Sequence, residues 1–96
     1  MKNINNSNTE YLFKAILQLK SEEECRAFFE DVCTNNEIAS ISQRLRVAKL
    51  LHEKHVYNDI AKMTGASTAT ISRTNRSLRS GSGGYSIVFE RLADNE

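Results

Sequence analysis

Residues Tyr57 to Leu78, YNDIAKMTGASTATISRTNRSL, constrain the chain more than any other stretch. Apolar residues at helical spacing on either side of Thr64-Gly65-Ala66 predict two short helices joined by a tight turn. Gly65 supplies the left-handed backbone conformation that other residues adopt only at a cost. Ser67 is a natural N-cap for the helix that follows, and the small Ala61 lets the two helices cross closely. In the second helix Ile71, Thr74 or Asn75, and Leu78 make an inward stripe. At about 100° per residue, Ala69, Arg73 and Arg76 then turn outward, flanked by Thr68, Thr70 and Ser72.

The rest of the chain is patterned for helices as well. Its 96 residues are 40% hydrophobic, contain no Pro or Trp, and lack strand-like alternation, which predicts an all-α fold. A domain of this size buries a modest share of its surface, so a core shared through dimerisation is expected. Asn-rich residues 1–8 read as a disordered tail and residues 9–96 as a single helical domain. Leu12, Phe13, Ile16 and Leu17 outline a first helix, capped by Thr9 and running to Lys20. Ser21 starts a second, forming a capping box with Glu24, and Glu22, Glu23 and Glu24 suit the positive end of its dipole. Cys25, Phe28, Phe29, Val32 and Cys33 share one face of it, which is core or interface. Thr34 and Glu37 form a second capping box before the longest helix, expected over about 35–54. There Ile38, Ile41, Leu45 and Ala48 make a seam like that of a helix pair, widened by Val47, Leu50 and Leu51. After the Gly-rich SGSGG, Tyr85, Val88, Phe89 and Leu92 form a last apolar face. A helix that short is unstable alone in water and must dock on the body or on a partner chain.

Several function classes find no support. Cys25 and Cys33, about 12 Å apart along a helix axis, are too distant to pair and read as buried thiols in a reducing compartment. His52 and His55 lie three apart without the further ligands a metal site needs, so no metal or other cofactor is expected. The glycines at 81, 83 and 84 lack the preceding strand and following Lys of a phosphate loop. No nucleophile, base or carboxylate pair forms a catalytic pattern, so the chain does not read as an enzyme. Without a signal peptide or an apolar run of membrane-spanning length, a cytoplasmic location is expected.

Charge separates the two ends. Between Ser21 and Glu37 six acids face a single Arg26, whereas from Ile60 to Phe89 there are Lys62, Arg73, Arg76 and Arg79 and no acid. The second half is therefore suited to meet a polyanion. Two short helices, a glycine turn and a basic, hydroxyl-rich outer face make a helix-turn-helix that reads the major groove of double-stranded DNA. Threonine and serine hydroxyls contact bases or phosphates, an alanine methyl meets a thymine methyl, and arginine bonds guanine or phosphate. Two alternatives remain: a helical protein-interaction module whose hairpin only packs, and a small-ligand sensor with no primary DNA role.

GASTATISRTNRSL, preceded by Ser42-Gln43-Arg44-Leu45-Arg46-Val47-Ala48-Lys49-Leu50-Leu51 and followed by Gly83-Gly84-Tyr85, resembles the tryptophan repressor superfamily, with the GGY ending closest to its YerC/YecD-type branch. The resemblance covers roughly Thr34 to Leu92. It implies a six-helix, intertwined homodimer that presents two helix-turn-helix units to an operator and regulates transcription, as a repressor. It assigns DNA contacts to Gly65, Ala66, Ser67, Thr68, Ala69, Thr70 and Ser72, to which the outward face adds Arg73 and Arg76. Arg44, Arg73 and Ser77 match positions that hold the corepressor in the tryptophan repressor. Thr74 stands where that repressor has Gly beside the indole, which argues against tryptophan as the effector and leaves Arg44 and Arg73 to hold a small anionic effector, contact phosphate, or pair with acids of the dimer.

Overall fold

A computed structural model describes residues 6–95, which contain six helices and no strand. The chain divides into two compact units, one ending at Ile38 and the other beginning at Ala39.

The first unit holds α1 (Ser7–Ile16), α2 (Glu22–Val32) and the first turn of α3 (Asn35–His52). α1 starts earlier than expected. Asn6, not Thr9, is its N-cap, and the Asn6 side chain accepts the Thr9 backbone N–H at 2.9 Å. Residues 1–5 of the expected tail lie outside the described residues, and residues 6–8 belong to the cap and first turn. α1 also ends at Ile16, short of Lys20. Ser21 caps α2 by accepting the Glu24 N–H at 3.1 Å, while the Glu24 carboxylate accepts from Lys20 rather than from Ser21, at 2.8 Å. Thr34 and Glu37 form the reciprocal pair in full: Thr34 Oγ1 accepts the Glu37 N–H at 3.1 Å, and Glu37 Oε1 accepts the Thr34 N–H at 2.8 Å.

No residue of α1 or α2 is buried. Leu17 is 80% exposed and Tyr11 76%. Phe28 and Phe29 meet edge to face at 5.4 Å and are half-buried. The cysteines depart from expectation, since Cys25 is exposed and Cys33 half-buried.

The second unit is where the core lies. Val47, Leu50 and Leu51 of α3 pack with Ile60 of α4 (Tyr57–Thr64), Ala66, and Ile71 of α5 (Thr68–Ser80). Ala61 and Leu78 lie against this cluster. α3 stops at His52, two residues before the expected end, because Lys54 turns to the left-handed region at φ 72°. The Lys54 N–H then bonds the Leu51 carbonyl and the His55 N–H the Leu50 carbonyl, which closes the helix in a Schellman turn. The His52 ring lies 5.3 Å from the Phe89 ring, tilted at 38°. Phe89 anchors α6 (Gly84–Asp94), with Tyr85 stacked on it at 6.0 Å and Lys49 Nζ 6.0 Å from the ring centre. The outer face of α6 stays open, with Ile87, Val88 and Leu92 all exposed. No helix among the described residues is long and apolar enough to cross a membrane.

Hydrogen bonds from the backbone and then the side chain of Thr34 hold the Glu37 carboxyl below its ordinary value of 4.5. A group depressed in the folded state contributes stability above its unfolded value and loses it as pH falls through the folded one. The start of α3 is therefore expected to fray on acidification below about pH 4.5. Amide exchange at Thr34 followed from neutral to acidic pH checks this, and the Glu37→Gln variant should show a much weaker pH dependence.

Candidate DNA interface

α4 and α5 form the helix-turn-helix, and local hydrogen bonds set its turn. Gly65 sits at φ 75° and ψ 6°, donating its N–H to the Ala61 carbonyl at 2.9 Å. The Thr64 hydroxyl donates to the Ile60 carbonyl at 2.7 Å and accepts the Ala66 N–H at 3.1 Å. Ser67 caps α5: its Oγ accepts the Thr70 N–H and donates to Thr70 Oγ1, both at 3.1 Å. The first turn of α5 has no acid, so its free N–H groups and positive dipole end remain available to an anion.

Most of the expected reading face lies outward. Thr68, Ala69, Arg73 and Arg76 are exposed, Thr70 and Ser72 half-buried, and Gly65 and Ser67 exposed at the turn. Ala66 departs from the expectation: its methyl is buried in the core at 6% exposure. The chain passes inward there before α5 begins, so Ala66 presents no side chain to a ligand. Of the two candidates for the middle of the inward stripe, Thr74 is the buried one and Asn75 is half-buried.

The cations of this face are unpaired with acids. The ion pairs among the described residues join Arg26 to Glu22, and Lys49 and His55 to Glu53. None involves Lys62, Arg73, Arg76 or Arg79, though Arg79 Nε donates to Asn75 Oδ1 at 3.3 Å. An unpaired, solvated guanidinium keeps its full attraction for phosphate.

The expected effector residues are divided between two helices. Arg73 and Ser77 are exposed and one turn apart on α5, whereas exposed Arg44 lies on α3 with its Nε on the Ser40 carbonyl at 3.4 Å. Thr74, between Arg73 and Ser77 in sequence, is 4% exposed, so its methyl and hydroxyl fill space that a glycine would leave. Two further residues, Gln43 and Thr64, have no role that the sequence assigns. Gln43 of α3 donates to the Thr64 carbonyl at 3.2 Å, and the Thr64 hydroxyl bridges the turn. A Thr directly before the turn glycine is the one local signal that points to the latter.

Gly65 has open space around its Cα but a left-handed φ. Gly65→Ala is therefore expected to cost about 1–2 kcal/mol through backbone strain alone, without a steric clash. Urea unfolding measures the loss, and Gly65→Asn should recover part of it, because Asn adopts that conformation more readily.

The family model for the Trp repressor protein matches residues 7–93. Protein YerC of Bacillus subtilis (strain 168), described as uncharacterized, is 51% identical over 85 residues, 88% of this chain and 82% of that protein. Among solved structures, a TrpR-like protein from Eubacterium eligens ATCC 27750 is 60% identical, covers 94% of this chain and 93% of its own, and superposes with a TM-score of 0.91. A candidate Trp repressor from Staphylococcus aureus is 47% identical, with 93% and 89% covered and a TM-score of 0.89. Six helices, the turn at Gly65 and these matches agree, and the chain belongs to the Trp repressor protein family, a family of DNA-binding regulators.

Proposed function

We propose that this chain is a sequence-specific transcriptional regulator, a repressor, which as a homodimer sets α5 of each protomer into successive major grooves of a double-stranded operator. One observation carries the reading: the outward face of α5 exposes Thr68, Ala69, Arg73 and Arg76, and no ion pair among the described residues occupies its cations. Thr68, Ala69, Thr70 and Ser72 read base edges through hydroxyls and methyls. Arg73 and Arg76 bond guanine or phosphate, and the turn residues Gly65 and Ala66, whose own N–H groups are held by Ala61 and Thr64, set Ser67 and the first N–H groups of α5 against the sugar-phosphate strand. The two protomers space their recognition helices by about 34 Å, one turn of DNA.

The homodimer is supported by the first unit. Two amphipathic helices that bury no residue leave Tyr11, Leu12, Phe13, Leu17 and Val32 exposed, more apolar surface than a small monomer ordinarily presents. Arg44, Arg73 and Ser77 are assigned to a small anionic effector, with Arg73 shared between effector and DNA. Buried Thr74, which takes up space that a glycine would leave, argues against tryptophan in that role. DNA as the target puts the protein in the cytoplasm.

DNA binding measured against salt tests the reading. A regulator making about six phosphate contacts loses roughly 10³-fold in affinity between about 50 and 200 mM salt. Arg76→Ala should weaken binding and lower the salt slope by about one contact while the melting temperature stays put. If a random-sequence pool yields no preferred duplex at low salt, the protein is not a sequence-specific regulator. Calorimetry with L-tryptophan should give no binding heat at micromolar ligand, and a clear isotherm there would overturn the exclusion by Thr74.

A further inference from the structure

Among the described residues, side-chain hydrogen bonds join positions at most four apart in sequence, with one exception. Gln43 Nε2 reaches across 21 positions to the Thr64 carbonyl, at 3.2 Å in a half-buried setting. Thr64 is the last residue of α4, where a helix leaves its carbonyls without intrahelical donors. Gln43 thus supplies from α3 the donor that α4 lacks. The Thr64 side chain meanwhile ties back to Ile60 and forward to Ala66. One residue is therefore fastened in three directions: to the long helix, to its own helix and to the approach to α5.

The remaining link between α3 and the helix-turn-helix is apolar, made by Val47, Leu50 and Leu51 against Ile60, Ala66 and Ile71. Hydrophobic attraction is non-directional, so this cluster secures proximity and tolerates small rotations. A hydrogen bond weakens steeply with distance and angle and does not. We propose that Gln43 and Thr64 are positioning residues for sequence recognition, a clasp that sets the angle at which α4 and α5 leave α3 and hence the seating of α5 on base edges. The proposal rests on the DNA-reading function above. Arg73 and Arg76 have long side chains that follow phosphates through a small tilt of the helix. Thr68, Ala69, Thr70 and Ser72 are short and lose base contacts under the same tilt. Opening the clasp therefore lowers discrimination and leaves general DNA affinity in place.

The test uses the full-length protein and two DNA duplexes: the best binder it selects from a random pool, and a scrambled duplex of the same composition. Gln43→Met keeps the length of the side chain and removes the donor. Its preference for the selected duplex should fall about fivefold, the effect of one ordinary hydrogen bond, with affinity for the scrambled duplex unchanged. Without DNA, amide exchange should quicken at Gly65 and Ala66 but not at Ile71 in the core. Thr64→Ser retains all three bonds and should keep the preference, whereas Thr64→Val should lose it. An undiminished preference in Gln43→Met overturns the proposal. So does equal weakening on both duplexes, or faster exchange throughout the core, since either makes Gln43 a merely structural residue. The two possible failures are separable: absence of any preferred duplex for the unaltered protein refutes the DNA reading itself, and a preference that survives in Gln43→Met refutes only the clasp.

Discussion

Ile60 and Ile71 have almost no solvent exposure, and through them two short helices acquire a fixed place at the end of a long one. Neither α4 nor α5, with 8 and 13 residues, is long enough to be stable in water by itself. Full burial of one isoleucine is worth about 1.5–3 kcal/mol, and Val47, Leu50 and Leu51 provide the surface against which both are buried. Ala66 fits into the same cluster, so the turn itself is part of the core. Lose this contact and the exposed hydroxyls and guanidiniums have nothing to hold them in a common orientation.

Around that contact, directional and non-directional forces have separate tasks. Apolar packing brings the helices together, and the left-handed Gly65 lets the chain reverse between them. Hydrogen bonds at Thr64 and Ser67 then define where one helix stops and the next begins. The outward face of α5 is spared from structural duty, apart from Thr70, which shares its hydroxyl with the cap. A surface whose side chains do not support the fold can vary without unfolding it.

Much of this was legible in the sequence, for physical reasons. Caps are local, so Ser21, Thr34 and Ser67 announce helix starts through their own spacing to the residues they bond. Periodicity is also local, and it identified the inward stripes at Ile60, Ile71 and Phe89. The misses share a different origin. Lys54 closes α3 in a conformation usually taken by glycine, and Ala66 is small enough to suit either surface or core. Cys25 shares a face with half-buried Phe28, Phe29 and Cys33 yet is itself exposed, and spacing alone does not separate the edge of such a face from its middle. Gln43 offers no signal at all, because its partner is 21 positions away and glutamine is ordinary on any helix.

The unit that ends at Ile38 has two complete helices that bury no residue. Such a unit has little to gain from folding on its own, since ordering the backbone costs about 1–2 kcal/mol per residue and here brings few apolar groups out of water. In the proposed dimer, folding of this part and association become a single event, and stability depends on the concentration of protomers. Dilution would then act on the regulator much as a denaturant does. The amount of protein in the cell would set not only how many operators are occupied but what fraction of chains has a complete fold.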